Sequence, residues 1–308
     1  MRNLAILVFI SFIYHSSAIY GQNLAAGNPS LSDAEKICLS AKEIAFSLSY
    51  QNSFANKFYN EDRLYNGIKT FKNANSNYAE FKSAYGFTPR ISAAVELGYF
   101  FNKTINYQDS SRNGFGLGDA AIYLKYRLIN SKAAKFILLP SIGIKLPIGV
   151  FNQTDNNLPL PIAVQPSSGN FKYMASVYML KVINEQLSIA SNCTYESAQM
   201  IESKYFYLKY GDQWMLSFLG NYKFNKNISC NLQFRFENKD KTHMSFNKII
   251  ESSGYKIIFI TPQLDYCFGN SWQFSVYADL PFYRYYNGIQ YASNYSLSIR
   301  LLKKMIFY

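Results

Sequence analysis

Alternation of apolar and polar residues in strand-length segments is the feature that most constrains this chain. From Ile228 to Phe236 every second residue is apolar and the residues between them are polar, and the same rhythm runs from Trp272 to Leu280. Successive side chains of an extended strand point to opposite faces, so each segment has one apolar and one polar face. Repetition of this pattern over most of the chain predicts an all-β protein whose sheet separates an apolar from a polar environment.

The segments predict a transmembrane antiparallel up-and-down β-barrel of about twelve strands, since each has about the length that a tilted membrane strand requires. The predicted strands are Ile44–Gln51, Asn77–Tyr85, Arg90–Phe101, Asp119–Leu128, Lys135–Ile148, Phe171–Val182, Leu187–Tyr195, Trp214–Phe224, Ile228–Phe236, Ile258–Phe268, Trp272–Leu280 and Tyr295–Leu301.

The connections between these strands alternate strictly in length. The short ones are 86–89, 130–133, 184–186, 225–227 and 269–271, and the long ones are 52–74, 103–117, 149–168, 197–211, 238–253 and 281–290. Membrane barrels have short periplasmic turns and long extracellular loops, whereas a soluble sandwich has no physical reason for this alternation. An even number of strands also places both chain ends on the periplasmic side.

The beginning of the chain is typical of a secretory signal. Arg2 supplies a positive charge, Leu4–Ile13 is apolar, and small residues around Ala18 offer a cleavage site. The apolar run of about ten residues is well short of the ~20 that a membrane-spanning helix needs. We therefore predict a signal peptide over 1–22, a short periplasmic pre-barrel segment or plug over 23–42, and a barrel over 43–308 in the outer membrane of a Gram-negative cell.

The composition fits a membrane barrel and argues against nucleic-acid binding. Tyr and Phe number 27 and 25 while only 16% of residues are charged, and aromatic residues form the interfacial girdles of such barrels. The net charge of +12, which becomes +11 once Arg2 leaves with the signal, is spread along the chain. We expect outer-membrane lipid and lipopolysaccharide as partners together with a small-molecule solute, and no nucleic acid; the oligomeric state stays open.

The polar face of each predicted strand indicates which residues point into the lumen. The charged ones are Glu96, Lys125, Arg127, Lys145, Lys223, Arg235, Asp265, Asp279 and Arg300. Buried ions must pair or contact water, so these residues form either a salt-bridge network that stiffens the barrel or a selectivity lining that favours anions. The inward Tyr123, Tyr178 and Tyr277 are the predicted constriction.

Several short stretches resemble an outer-membrane family described as transporters of the MetA-pathway of phenol degradation type. They are Gly116-Leu-Gly-Asp119 with Tyr123-Leu-Lys-Tyr126, Gly143-Ile-Lys-Leu-Pro-Ile-Gly149, Gln165-Pro-Ser-Ser-Gly169, Leu280-Pro-Phe-Tyr283 with Asn287-Gly-Ile-Gln290, and Leu39-Ser-Ala-Lys-Glu43 leading into Phe46-Ser-Leu-Ser-Tyr50. The resemblance implies one outer-membrane barrel that passes small molecules. The chain departs from it where Lys303 and Lys304 precede the terminal aromatic residues.

Three functions remain open at this point. The leading hypothesis is a non-enzymatic outer-membrane channel or transporter-like barrel for small hydrophobic or anionic molecules, with no metal and no cofactor. The second is a structural or partner-binding barrel that acts through long loops such as 52–74. The third is an outer-membrane hydrolase built on Asp240 and His243, since His243 is the one histidine downstream of the predicted signal and a hydrolase needs a general base.

Overall fold

The computed structural model describes residues 39–202, 207–244, 248–269 and 271–306. Within these ranges the protein is all-β except for one 3-10 helix, Ile162–Val164. No helix of the described residues has the length and apolar character needed to cross a membrane.

Eleven strands of the described residues form the wall of a barrel. They are β1 (Glu43–Glu61), β2 (Asn73–Gly86), β3 (Ile91–Asn106), β4 (Ala120–Tyr126), β5 (Phe136–Leu146), β6 (Lys172–Val182), β7 (Leu187–Ala198), β8 (Gln213–Lys223), β9 (Ile228–Lys239), β10 (Tyr255–Phe268) and β11 (Trp272–Ile306). Each pairs antiparallel with the next. The sheet closes because β11 pairs with β1, with Ile306 opposite Glu43.

The last strand crosses the wall twice. The first part of β11 pairs with β10 and the second part with β1. The backbone N–H of Lys304 donates to the carbonyl oxygen of Ser271 at 3.0 Å, although a straight strand would separate these residues by about 100 Å. The chain reverses near Gly288, whose φ of +66° costs glycine no steric strain. Eleven strands therefore make twelve passes, and the predicted antiparallel barrel of about twelve strands is confirmed.

The strands extend farther into the long connections than the alternation predicts. β1 continues to Glu61 inside the predicted loop 52–74, and the predicted loop 281–290 is continuous strand with a tight reversal. β3 likewise reaches Asn106 inside the predicted loop 103–117, and Ser111–Leu117 pairs back onto it. These loop predictions are wrong over those residues. Beyond the hydrocarbon layer both faces of a strand are free to be polar, so the alternation stops while backbone pairing continues.

Two long connections contribute a separate outer sheet, which consists of Ile201–Glu202, Tyr207–Lys209, Thr242–Met244 and Lys248–Ile250. It lies at the end of the barrel where the long connections are. The small strands Arg63–Leu64 and Ile129–Ser131 pair onto β1 and β5.

The predicted signal peptide 1–22, the pre-barrel residues up to 38 and the terminal Phe307-Tyr308 lie outside the described residues. β1 begins at Glu43. The lysines near the C-terminus do not interrupt the last strand, because Lys303 and Lys304 continue the register opposite Phe46 and Ala45.

Candidate functional site

The wall of the barrel is polar inside and apolar outside. In β9 the side chains of Asn231, Gln233 and Arg235 are buried, while those of Leu232 and Phe234 between them are exposed. A soluble protein has the opposite arrangement, because water solvates its surface and apolar groups fill its core. The polar and charged side chains of the wall therefore point into the barrel, and the barrel interior is the candidate functional site.

The outer surface carries far more apolar side chains than water tolerates. Ile142, Phe218 and Phe234 are 64%, 55% and 46% exposed, and comparable residues cover every wall strand. Contiguous apolar patches of this extent mark contact with lipid or with another protein. Near the short turns, Trp272 stacks on Phe268 with ring centroids 6.2 Å apart, and the Lys303 ammonium lies 4.6 Å from the Trp272 ring. An aromatic ring with a basic group beside it is typical of a membrane interface.

Inside the barrel, the first charged cluster is centred on Arg235. Its guanidinium donates to Glu237 at 2.8 Å and to Asp279 at 3.3 Å, and it lies 4.6 Å from the Phe259 ring. Thr261 donates its hydroxyl to the same Asp279 carboxylate. The two acids neutralise a guanidinium that has left water, which a buried cation requires.

A second charged cluster lies on the opposite wall, on β2 to β7. Lys82 contacts Glu80 at 3.2 Å and Glu96 at 3.3 Å, and the Tyr123 hydroxyl donates to Glu96 at 3.4 Å. Lys145 and Lys172 share Glu196, at 2.7 and 3.7 Å. Acids and bases from five strands, together with the Tyr123 hydroxyl from β4, thus line this side of the wall.

The structure places the charged residues predicted from the polar phase at different depths. Asp265, Asp279, Arg235 and Arg300 are buried, while Glu96, Lys125, Arg127 and Lys145 are half-buried. Lys223 is exposed, because it is the last residue of β8 and lies at the rim beside a short turn. Asp265 accepts hydrogen bonds from Asn231 at 2.5 Å and Gln263 at 2.7 Å.

The three predicted constriction tyrosines have different surroundings. Tyr123 contacts Glu96, and Tyr277 lies 5.5 Å from the Arg300 guanidinium. Tyr178 belongs to an apolar cluster on the interior wall. That inner apolar cluster comprises Leu139, Tyr178, Leu180, Ala190 and Leu219, with Ile137 packed against it. Apart from Tyr178, these residues are not among the lumen-facing residues that the alternation predicts.

The long connection between β5 and β6 folds across the open end of the barrel. We call residues 149–170 the cap segment. Its Leu160, Ala163 and Val164 pack against residues at the outer ends of β1, β2, β3 and β11. Val164 is fully buried. The partners are Ala55, Phe58, Ala74, Ile105 and Tyr291, together with Phe71 from the β1–β2 connection. Three strands separate β1 from β5 around the ring, so the cap segment crosses the mouth to reach them.

The other side of the cap segment contacts the outer sheet. Ile162 packs against a cluster formed by Ala198, Leu208 and Tyr210. The Tyr210 hydroxyl also donates to the carbonyl oxygen of Ser168 at 3.1 Å. The cap segment is therefore held between the barrel wall and the outer sheet by apolar contacts on both sides.

Polar contacts fix the end of the cap segment next to β6. Asp119 accepts from the Ser167 hydroxyl at 2.6 Å, from the Ser168 backbone at 3.0 Å and from the Ser168 hydroxyl. The Gln165 side chain donates to the carbonyl oxygens of Gln153 and Leu160. Asp119 and Gln165–Gly169 belong to two of the stretches that carry the family resemblance, and the structure brings them into contact.

Close backbone packing fixes the cap segment at two points, one at its start and one at Val164. A methyl group added at Gly149 would lie 1.8 Å from the carbonyl oxygen of Leu117, and one at Gly114 would lie 1.9 Å from that of Val164. Only hydrogen fits at these points, so the glycines have a steric reason to be present.

His243 lies in the outer sheet, opposite Lys209 in the register. Among the described residues no hydrogen bond joins its imidazole to the Asp240 carboxylate. Asp240 instead donates its backbone N–H to the carbonyl oxygen of Asp212 at 2.9 Å.

Comparison with known proteins identifies the architecture. No family model matches the sequence, and no curated protein matches it either. Among solved structures, the chain is similar to the COG4313 outer membrane channel from Pseudomonas putida F1, with a TM-score of 0.73, 14% identity, and coverage of 90% of this chain and 100% of that chain. The NanC porin matches with a TM-score of 0.51 and 11% identity, over 83% of this chain and 100% of that one. The expected outer-membrane barrel fold is confirmed.

Proposed function

We propose that this protein is a non-enzymatic outer-membrane channel for small solutes, and that the cap segment controls entry from the side of the long connections. The observation that supports this most directly is the combination of a closed wall, a polar interior and a long connection folded across the mouth. A barrel that served only as an anchor would not need a charged interior of this extent, because unpaired or imperfectly paired ions inside it lower stability.

We also propose that the barrel lies in the outer membrane. An apolar outer surface with interfacial Trp272 and Lys303 is solvated by a lipid bilayer, and an export signal over 1–22 would deliver the chain to the periplasm. Residues 23–42 then precede the barrel on the periplasmic side, where β1 begins. Lipopolysaccharide is the expected neighbour of the basic residues near the long connections.

In this mechanism solute passage requires the cap segment to move, because apolar contacts hold it against the barrel wall and the outer sheet. The interactions at its two ends have different strengths. Hydrogen bonds to Asp119 hold one end, while the other end depends on the absence of a side chain at Gly149. We expect the cap segment to detach first at its Gly149 end. Close packing can be lost there while the hydrogen bonds to Asp119 still hold the other end.

Liposome swelling with the full-length protein tests this mechanism. We expect slow uptake of small sugars and amino acids by the wild type and faster uptake by Gly149→Ala, because the added methyl group overlaps the Leu117 carbonyl oxygen. A variant in which residues 151–168 are replaced by a short Gly-Ser linker should show the largest flux. Limited proteolysis should cut the cap segment faster in Gly149→Ala than in the wild type.

Gly220→Ala is the matched control, because a methyl group there meets no atom within 4 Å. Its flux should equal that of the wild type. Absence of flux in the linker variant, from protein that has folded in the membrane, would rule out the channel function. Equal flux in all four proteins would rule out the gating role of the cap segment.

A second function is favoured by the outer sheet and the residue that precedes it, since Met200, Tyr207 and Ile249 are 46%, 51% and 44% exposed. Exposed apolar residues on a small sheet suit a protein partner. The loop 52–74 is a weaker candidate than the sequence suggests, since half of it is barrel wall. Retention of a partner by the wild type and its loss when 201–209 is shortened, with unchanged solute flux, would favour this function.

A further inference from the structure

Arg300 is a buried cation whose hydrogen bonds are incomplete. Its residue is 2% exposed, and its Nη2 donates to the Ser275 hydroxyl at 3.1 Å. The Nε and Nη1 atoms are also buried and find no acceptor among the described residues. The guanidinium lies 5.5 Å from the Tyr277 ring, which stabilises a cation but accepts no full hydrogen bond.

Arg235, the other buried arginine in the barrel, has its charge neutralised by two acids. Arg235 has Glu237 at 2.8 Å and Asp279 at 3.3 Å. In the strand register two acids lie two strands from Arg300. Glu80 lies opposite Ser49 and pairs with Lys82 at 3.2 Å. Asp265 lies opposite Ser275. That carboxylate already accepts from Asn231 and Gln263. The described part of the wall therefore supplies Arg300 with a hydroxyl and an aromatic ring but with no acid.

The position of Arg300 suits contact with a solute. It projects into the interior opposite Ser49 in β1, between the cap segment and the short turns. Ser298, two residues away on the same face of the strand, is buried, and its hydroxyl also has no hydrogen-bond partner among the described residues. A hydroxyl and two guanidinium nitrogens thus have free hydrogen-bonding capacity at one place on the interior wall.

We propose that Arg300 and Ser298 form a binding site for the carboxylate group of a small solute. This inference rests on the proposed channel function and names the substrate class. An arginine with free N–H groups is the side chain best suited to a carboxylate, because it offers several charge-assisted hydrogen bonds in a planar arrangement. Partial desolvation strengthens each of them.

The inner apolar cluster indicates the rest of the solute. It lies on β5 to β8, which face the second pass of β11 across the barrel, and it presents Leu139, Leu180 and Leu219 to the interior. A solute with an apolar body and one carboxylate matches both surfaces, whereas a sugar matches neither the leucines nor the unpaired cation.

Thermal unfolding of the folded protein in detergent tests the site without requiring transport. The probes are sodium benzoate, benzyl alcohol as its uncharged counterpart, and sodium chloride at equal ionic strength. We expect benzoate alone to raise the unfolding temperature, because a ligand that binds only the folded state stabilises it. Arg300→Gln should weaken the apparent benzoate affinity at least about tenfold. Arg300→Lys keeps the charge and should retain a smaller shift.

Arg284→Gln is the control, since Arg284 donates to the carbonyl oxygen of Pro281 and stacks on Tyr59 near the outer end of the barrel. It should leave the benzoate shift unchanged. An undiminished shift in Arg300→Gln would overturn the site, and equal shifts with chloride or benzyl alcohol would overturn the carboxylate assignment. A benzoate shift in a wild-type protein that shows no solute flux would support the site while rejecting the channel.

Discussion

At the scale of single residues, the interior of the barrel differs from a soluble core in what it must neutralise. Arg235 shows the consequence, because two acids and an aromatic ring surround it. The alternation predicts Arg235 and Asp279 as inward residues. It misses Glu237, which shares the face of Arg235 but lies beyond the end of the predicted strand. Glu80 and Lys82 are missed because apolar residues do not alternate regularly with polar ones in their strand.

Removal of Arg235 should destabilise the barrel strongly. Arg235→Ala leaves Glu237 and Asp279 buried without their cation, and breaking a buried ion pair costs about 3–5 kcal/mol. The free energy of unfolding, measured by urea titration of the protein in detergent or lipid, checks this value. Lys241→Ala is the control, because Lys241 pairs with the largely exposed Glu251 and such pairs contribute about 0–1 kcal/mol. Similar losses in the two variants would contradict the assignment of Arg235 to the interior.

At the scale of strands, the alternation reports the environment of each face rather than the length of the strand. It locates every wall strand, since one face must meet an apolar medium. It ends early in β1 and β11, whose outer parts have polar residues on both faces while the backbone pairing goes on. The outer bounds of these strands therefore depend on partners that are distant in the chain.

The lipid-facing assignment predicts a dependence on depth. Phe234→Arg in the middle of β9 should lower the free energy of unfolding by about 2–4 kcal/mol, whereas the same change near the interface costs about 0–1 kcal/mol. Phe224, which follows β8 at a short turn and is 59% exposed, provides the matched position. Folding titrations of Phe234→Arg and Phe224→Arg in lipid vesicles compare the two. Equal costs would show that the outer surface does not cross a bilayer.

At the scale of the whole molecule, closure of the barrel depends on pairing between the two ends of the chain. The second pass of β11 lies against β1 along its full length, down to Ile306 opposite Glu43. An open sheet would expose unpaired backbone groups at two edges, and lipid offers these groups no hydrogen bonds. The lysines at 303 and 304 are compatible with closure because backbone pairing is independent of the side chain.

Truncation after Leu301 should prevent closure. It removes the partners of Glu43–Phe46 and the buried Leu302, so both edges lose hydrogen bonds at the end of the barrel that carries the short turns. We expect no heat-modifiable band in gel electrophoresis and no protection of the barrel from protease in vesicles. Deletion of residues 62–68 from the outer connection removes the same number of residues and should leave folding intact. A folded truncated protein would show that the terminal pairing is dispensable.

The sequence by itself determined the class of fold, the number of strand passes and which face of each strand is polar, because these properties follow from local periodicity and from the solvent on each face. Only the tertiary structure decided how the interior is organised. It joined the cap segment to Phe58 and Tyr291, gave Arg235 its acids, and placed no acid of the described residues beside Arg300. These outcomes depend on contacts between residues far apart in the chain, and alternation within one strand contains no information about which side chains meet across the lumen.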